Sequence, residues 1–139
     1  PDTVYEVGSL LSEALATLPP PTVPPAATPA PIVLAVEHGT TLADDRAAVL
    51  FASLAAAAAA RATIAIGAGL THAHSNAAAA TGVRLLPQAS AREQLDWLGS
   101  AHTIVTDSLG HQELAACLGI PCVVLAGTAV LPQPLADAH

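Results

Sequence analysis

The chain has 139 residues and a formal net charge of −7, with four arginines and no lysine. That length suits one domain with a sizeable core, and the charge argues against nucleic acid or an anionic membrane as partner, since both need a basic face. Hydrophobic residues make up 53% of the chain and aromatics only 2%, so the core must be built from Ala, Val, Leu and Ile.

Pro1 to Tyr5 is read as a short strand, and Gly8 to Leu18 as a helix with Leu10, Leu11, Ala14 and Leu18 on one side. Pro19 to Pro31 breaks the pattern, because proline at this density suits neither a helix nor an interior strand. It reads as an extended, mobile linker. A spacer is favoured over a ligand for a proline-recognition domain, since no basic residue flanks it. Ile32 to Glu37 is an apolar run ending in a polar residue, as a buried parallel strand does. His38 to Thr41 is the loop at its carboxyl end. Asp44 and Asp45 open a helix running to about Ala60, where their charge suits the helix dipole. Val49, Leu50, Leu54 and the alanines are its expected packing face.

Thr63 to Ile66 is the next strand, Gly67-Ala-Gly69 a loop, and Thr71 to Ala80 a weak helix. Val83 to Leu86 is a third strand and Pro87 to Ser90 a loop. Ala91 to Leu98 is an amphipathic helix, with Leu95 and Leu98 inward and Arg92, Glu93 and Asp96 outward. Thr103 to Thr106 and Pro121 to Leu125 are the fourth and fifth strands. Between them, Asp107 and Ser108 can cap a helix through their side-chain oxygens. Leu114, Cys117 and Leu118 recur at helical spacing, and Gly119 with Pro121 ends the helix. Cys117 and Cys122 are expected to be buried small hydrophobes. Too few ligands accompany them for a zinc site. No apolar run is both long enough and uncharged enough to span a bilayer, and no signal peptide opens the chain, so a cytoplasmic protein is expected.

Strands alternating with helices at this pitch make βαβ units. The expected fold is α/β, a Rossmann-like parallel β-sheet with helices on both faces. Functional residues in such a sheet lie in loops at the carboxyl ends of strands. Four loops qualify, carrying His38, the 67–74 segment, Gln88, and Asp107 to His111. His38 reads either as a proton donor or phosphate partner, or as a loop histidine without a role. His72 and His74 lie two apart but lack the carboxylate or thiolate partners of a metal site. His111 reads as an anion contact or as a surface residue. Gly110 lets a ligand approach the backbone at the start of the last helix, where free N–H groups favour phosphate. The nucleophile, phosphate-loop and dinucleotide motifs are missing, and Gly67-Ala-Gly69 is only a partial match to the last.

Thr106-Asp-Ser-Leu-Gly-His-Gln-Glu-Leu, followed by Leu118-Gly-Ile-Pro-Cys-Val-Val-Leu, resembles the non-hydrolysing UDP-N-acetylglucosamine 2-epimerases. Their run is Thr-Asp-Ser-Gly-Gly-Ile-Gln-Glu-Glu, then Leu-Gly-x-Pro-Val. Val4-Tyr-Glu-Val-Gly-Ser and Ile32-Val-Leu-Ala-Val-Glu-His38 resemble further family segments in the same order. The resemblance implies the carboxyl-side half of a GT-B type two-domain fold, with strand order 3-2-1-4-5. In that reading residues 1–139 form a single nucleotide-sugar-binding domain carrying the Pro-rich linker 19–31. His38 then matches the active-site histidine near the diphosphate. Ser108 and Gly110 match diphosphate-binding residues, Gln88 loosely matches a loop residue near the base, and Glu113 matches the first glutamate of the family pair.

The chain also departs from that pattern. Leu109 stands for a glycine and Leu114 for the ribose-contacting glutamate. Ala126-Gly-Thr-Ala-Val-Leu-Pro-Gln133 replaces a run with two arginines, and Gly39 and Thr41-Leu42 replace an Arg and a Glu-Asn pair. The lost charge-assisted contacts are worth roughly 1.5–3 kcal/mol each. The family's acid/base carboxylates belong to the other domain. The implied partners are a UDP-sugar and a missing amino-terminal domain or partner chain, with a homo-oligomer also admitted. No cofactor or metal is expected, nor catalysis by this chain alone. Two functions compete: the UDP-binding domain of an epimerase-like enzyme (or half of a GT-B glycosyltransferase), and a degenerate domain with a structural or assembly role.

Overall fold

A computed structural model describes residues 29–38, 42 and 44–125, together with residues 14, 16 and 17. Among the described residues, five strands form one sheet: β1 (Ile32–Ala35), β2 (Thr63–Ile66), β3 (Arg84–Leu86), β4 (Thr103–Thr106) and β5 (Cys122–Val124). Every pairing is parallel, and the spatial order is β3-β2-β1-β4-β5. The helices are α1 (Asp44–Ala58), α2 (Ser75–Thr81), α3 (Ala91–Gly99) and α4 (Leu109–Leu118), and a single 3-10 turn (His72–His74) precedes α2. The expected Rossmann-like sheet and its strand order are those observed.

Side chains alternate across the sheet as a strand's period of two requires. Ile32, Leu34, Ala65 and Val105 face one layer, with Ala47, Phe51 and Ala58 of α1 and Ala78 of α2. Val33, Ala35, Ile64, Ile66 and Ile104 face the other, with Leu98 of α3 and Leu114 and Ala115 of α4. Helices therefore cover both faces. The crossovers after β1 and β2 lie on one side, and those after β3 and β4 on the other. The winding reverses at β1, between β2 and β4. A crevice opens outside the carboxyl ends of strands at such a reversal, and ligands bind there.

Some expected packing is corrected. Val49 is 68% exposed, and Phe51, fully buried, anchors α1 in its place. Around an alanine-rich helix the apolar pattern carries little phase information, and one large side chain sets the rotation. Asp96 is buried rather than outward, and Arg92 Nε reaches its Oδ1 at 3.0 Å, one turn away. Cys117 and Cys122 are exposed, not core residues. Leu118 is also exposed, because α4 lays only Leu114 and Ala115 on the sheet and β5 is an edge strand open to solvent.

The expected strand Pro1 to Tyr5 lies outside the described residues, as does most of the helix expected over 8–18. Ala14, Ala16 and Thr17 are helical, and Thr17 Oγ1 donates to the Ala14 carbonyl. Of the proline-rich segment, residues 19–28 lie outside the described residues. Its end belongs to the sheet: Pro31 is buried, its carbonyl accepts from His102 N at 2.7 Å, and the Ala30 carbonyl accepts from Arg61. No helix among the described residues is long and apolar enough to cross a membrane.

Candidate functional site

The residues just past β1 and β4 meet at the reversal. Asp107 does not cap α4 as its sequence position suggests. Its Oδ1 accepts the Glu37 backbone N–H at 2.9 Å and its Oδ2 that of His38 at 3.0 Å. The carboxylate is 3% exposed, so it is a fixed clamp holding the end of β1 beside β4. Its Oδ2 also lies 3.6 Å from His38 Nδ1, whose ring is 64% exposed. Of these groups, the His38 imidazole is the one most open to the crevice.

Ser108 is the N-cap residue of α4 by backbone, yet its side chain makes no capping bond. Its hydroxyl donates instead to Glu37 Oε2 at 2.8 Å. His111 is neither a surface residue nor an open anion contact. It is buried, with Nδ1 3.1 Å from Thr106 Oγ1 and Nε2 3.4 Å from Glu37 Oε1. These bonds have one consistent direction. The Ser108 N–H donates to Thr106 Oγ1 at 3.1 Å. With its proton on Nε2, toward the Glu37 carboxylate, neutral His111 can accept the Thr106 hydroxyl at Nδ1. Protonating His111 would turn Nδ1 into a donor and leave the buried Thr106 hydroxyl without an acceptor.

Burial pushes the His111 imidazole below its ordinary value near 6.5, against the raising pull of Glu37 and Asp107. A depressed histidine binds protons more readily in the unfolded chain. Its contribution to stability is therefore complete above pH 6.5 and is lost as the pH falls through the folded value below that. Urea denaturation at a series of pH values should show the native protein losing stability on acidification through that window. His111→Gln should remove this part of the slope, and an NMR titration should place the His111 midpoint below 6.5.

The glycine loop after β2 braces the same strand end. Gly69 N donates to the Val36 carbonyl at 2.9 Å, and a Cβ at Gly69 would come 2.7 Å from Val36 Cγ1. Gly67 has φ +114° and passes the Val36 carbonyl too closely for any side chain. These two glycines, a partial dinucleotide motif in the sequence, serve the close approach of the β2 loop to β1. Gly110 differs, since a Cβ there would meet only Ser108 Oγ, at an ordinary 3.7 Å. Among the described residues, packing does not require glycine at 110.

The remaining expected site residues do not join this group. Gln88 is exposed after β3, two strands from β1 and so about 10 Å away. Glu113 is exposed on α4, while its neighbours His111 and Gln112 are buried. His74 serves the fold: its Nδ1 accepts the Thr71 N–H at 2.9 Å and its Nε2 lies 3.1 Å from the Leu42 carbonyl. No metal-binding group of three or more side chains occurs among the described residues. Glu37 is the residue that sequence reasoning missed. Its signal was a carboxylate directly before His38, at the end of a strand otherwise wholly apolar.

No protein-family model matches the chain, and no curated protein matches it. Solved structures do. A Listeria monocytogenes protein assigned as a UDP-N-acetylglucosamine 2-epimerase is similar with a TM-score of 0.54 and 22% identity, over 71% of this chain and 29% of that one. The fold is one that this epimerase structure contains. A UDP-GlcNAc 2-epimerase from Methanocaldococcus jannaschii, in complex with UDP-GlcNAc and UDP, is similar at 17% identity with a TM-score of 0.49, over 68% of this chain and 29% of that one. This chain thus spans less than a third of the length of either. At such identities the likeness is one of fold: a Rossmann-like parallel sheet of the GT-B type.

Proposed function

We propose that this chain is the UDP-sugar-binding domain of an epimerase-like protein, the half that holds the diphosphate while a second domain supplies the acid/base carboxylates. In the intact two-domain protein the reaction would be interconversion of UDP-GlcNAc and UDP-ManNAc. The observation that carries the reading is the joining of the β1 end to the start of α4 at the reversal of strand order, where Asp107 holds the Glu37 and His38 backbones and Ser108 bonds to Glu37. There the first N–H groups of α4 and its dipole favour an anion. That no described side chain or backbone packs closely on the Gly110 position supports the reading, and the exposed His38 ring, now beside Asp107, can turn toward a phosphate oxygen. The cytoplasm is the compartment that fits such a substrate.

Binding by this domain alone is weak in this reading. Arg61 donates to the Ala30 carbonyl, Arg84 lies over the Trp97 ring and Arg92 pairs with Asp96. Of the four arginines, only Arg46 is left, exposed in the first turn of α1. Calorimetry with UDP should give a Kd near the millimolar range, about 4 kcal/mol of binding free energy. Ser108→Ala and His38→Ala should each weaken it several-fold. Binding unchanged in both variants would put the site elsewhere.

A second reading, a degenerate domain with a structural or assembly role, is favoured by one observation: the Ser108 hydroxyl is already taken by Glu37. A folded domain that shows no UDP binding at any concentration would establish it.

A further inference from the structure

The two side chains at the start of α4 best placed to receive a ligand oxygen are both engaged by one carboxylate. Glu37 Oε2 accepts the Ser108 hydroxyl at 2.8 Å, and Oε1 lies 3.4 Å from His111 Nε2. Ser108 and His111 are buried at 4% and 8% exposure, while the Glu37 side chain is 46% exposed. The carboxylate therefore contacts both buried side chains while about half of the Glu37 side chain remains open to solvent. Asp107 cannot substitute for it, since both of its oxygens are held by backbone N–H groups and it is sealed from solvent. Position 111 belongs to the same arrangement. The His111 Nε2 meets the second oxygen of Glu37.

We propose that Glu37 is an internal stand-in for the ligand's anionic group: its carboxylate holds Ser108 and His111 in the resting protein and must swing out before a diphosphate can take its place. The inference rests on the UDP-sugar reading above and names the residue that sets the strength of that site. Two like charges cannot share one small donor set in a partly dry crevice, because their repulsion there is far stronger than in water. Displacement is feasible, because the half-exposed Glu37 regains water when it turns outward. Its backbone stays fixed by Asp107, so only the side chain has to move. Glu37 thus makes the site selective, admitting only an anion whose further contacts outweigh the loss of its own carboxylate.

The test is calorimetry with UDP on the native protein and on Glu37→Gln, which keeps the shape and removes the charge. Binding at least about ten-fold tighter in Glu37→Gln is expected. Equal or weaker affinity in the variant would overturn the stand-in role while leaving the UDP reading in place. No binding by either protein would overturn both. A measurement on the native protein alone guards against a variant that fails to fold. The Glu37 side-chain carboxyl carbon signal, followed by NMR during a UDP titration, should shift as the carboxylate leaves Ser108. A signal unmoved at saturation would overturn the proposal.

Discussion

Gly67→Ala should remove a large part of the domain's margin of stability. The new Cβ would lie inside the Val36 carbonyl oxygen, with Val36 C at 3.0 Å and Val36 N at 3.2 Å, and the backbone at 67 has φ +114°. The strained conformation costs about 1–3 kcal/mol and the forced overlap about 1–3 more, so a loss of roughly 2–6 kcal/mol is expected. Neither β1 nor the β2 loop can yield, because the Val36 N–H is bonded to Ile66 O and its carbonyl to Gly69 N. Gly82→Ala is the comparison. Gly82 also has positive φ, +72°, but a Cβ there meets nothing within 4 Å, so its cost should be near 1 kcal/mol. Urea midpoints of the two variants separate the clash from the dihedral. Equal losses would mean that the approach of the β2 loop to β1 is not what requires glycine.

Phe51→Ala should cost about 3–5 kcal/mol, the usual range for emptying a closed aromatic site. Phe51 is the chain's only phenylalanine, fully buried, and packs in the cluster with Leu34, Val36 and Leu70. A domain of this size holds only about 5–15 kcal/mol in all, so the variant should sit near the edge of folding. Val49→Ala, two residues away and 68% exposed, should change stability by no more than about 0.5 kcal/mol. If Val49→Ala were the more damaging of the two, α1 would be rotated from the position described.

The sheet was legible because four of the five strands are short runs rich in β-branched residues, Arg84–Leu86 being the exception. Ile32–Ala35, Thr63–Ile66 and Thr103–Thr106 are such runs, and their carboxyl ends could be placed within a residue or two. The strand order came from the resemblance, since spacing alone does not distinguish the arrangements that right-handed crossovers allow. Helix rotation was less legible. Val49 and Phe51 are both apolar, and the alanines around them pack on either side, so nothing local chooses between them. Asp96 was misplaced because a charged residue is normally outward. Its i,i+4 partner Arg92 is what lets the carboxylate turn in.

The location of the site was legible for a topological reason: loops after β1 and β4 must meet wherever the winding reverses. The partners within it were not. Asp107 and Ser108 look like capping residues, and propensity cannot reveal that their oxygens bond to Glu37 and His38, about seventy positions earlier in the chain. His111 looks like a first-turn surface histidine until Thr106 and Glu37 are seen on either side of it.

The clamp between Asp107 and the end of β1 closes a loop of 70 residues, whereas β1 and β2 pair across about thirty. Entropy disfavours the longer closure, and β4 can dock only against a β1 already in place. The β1–β2 pairing does not involve the crevice, whereas the crevice needs both β1 and β4 in place. A nascent or partly unfolded chain has Glu37 and His38 but no partner for either. The proposed anion site therefore depends on β4 being docked, and a chain in which β4 is detached has no such site.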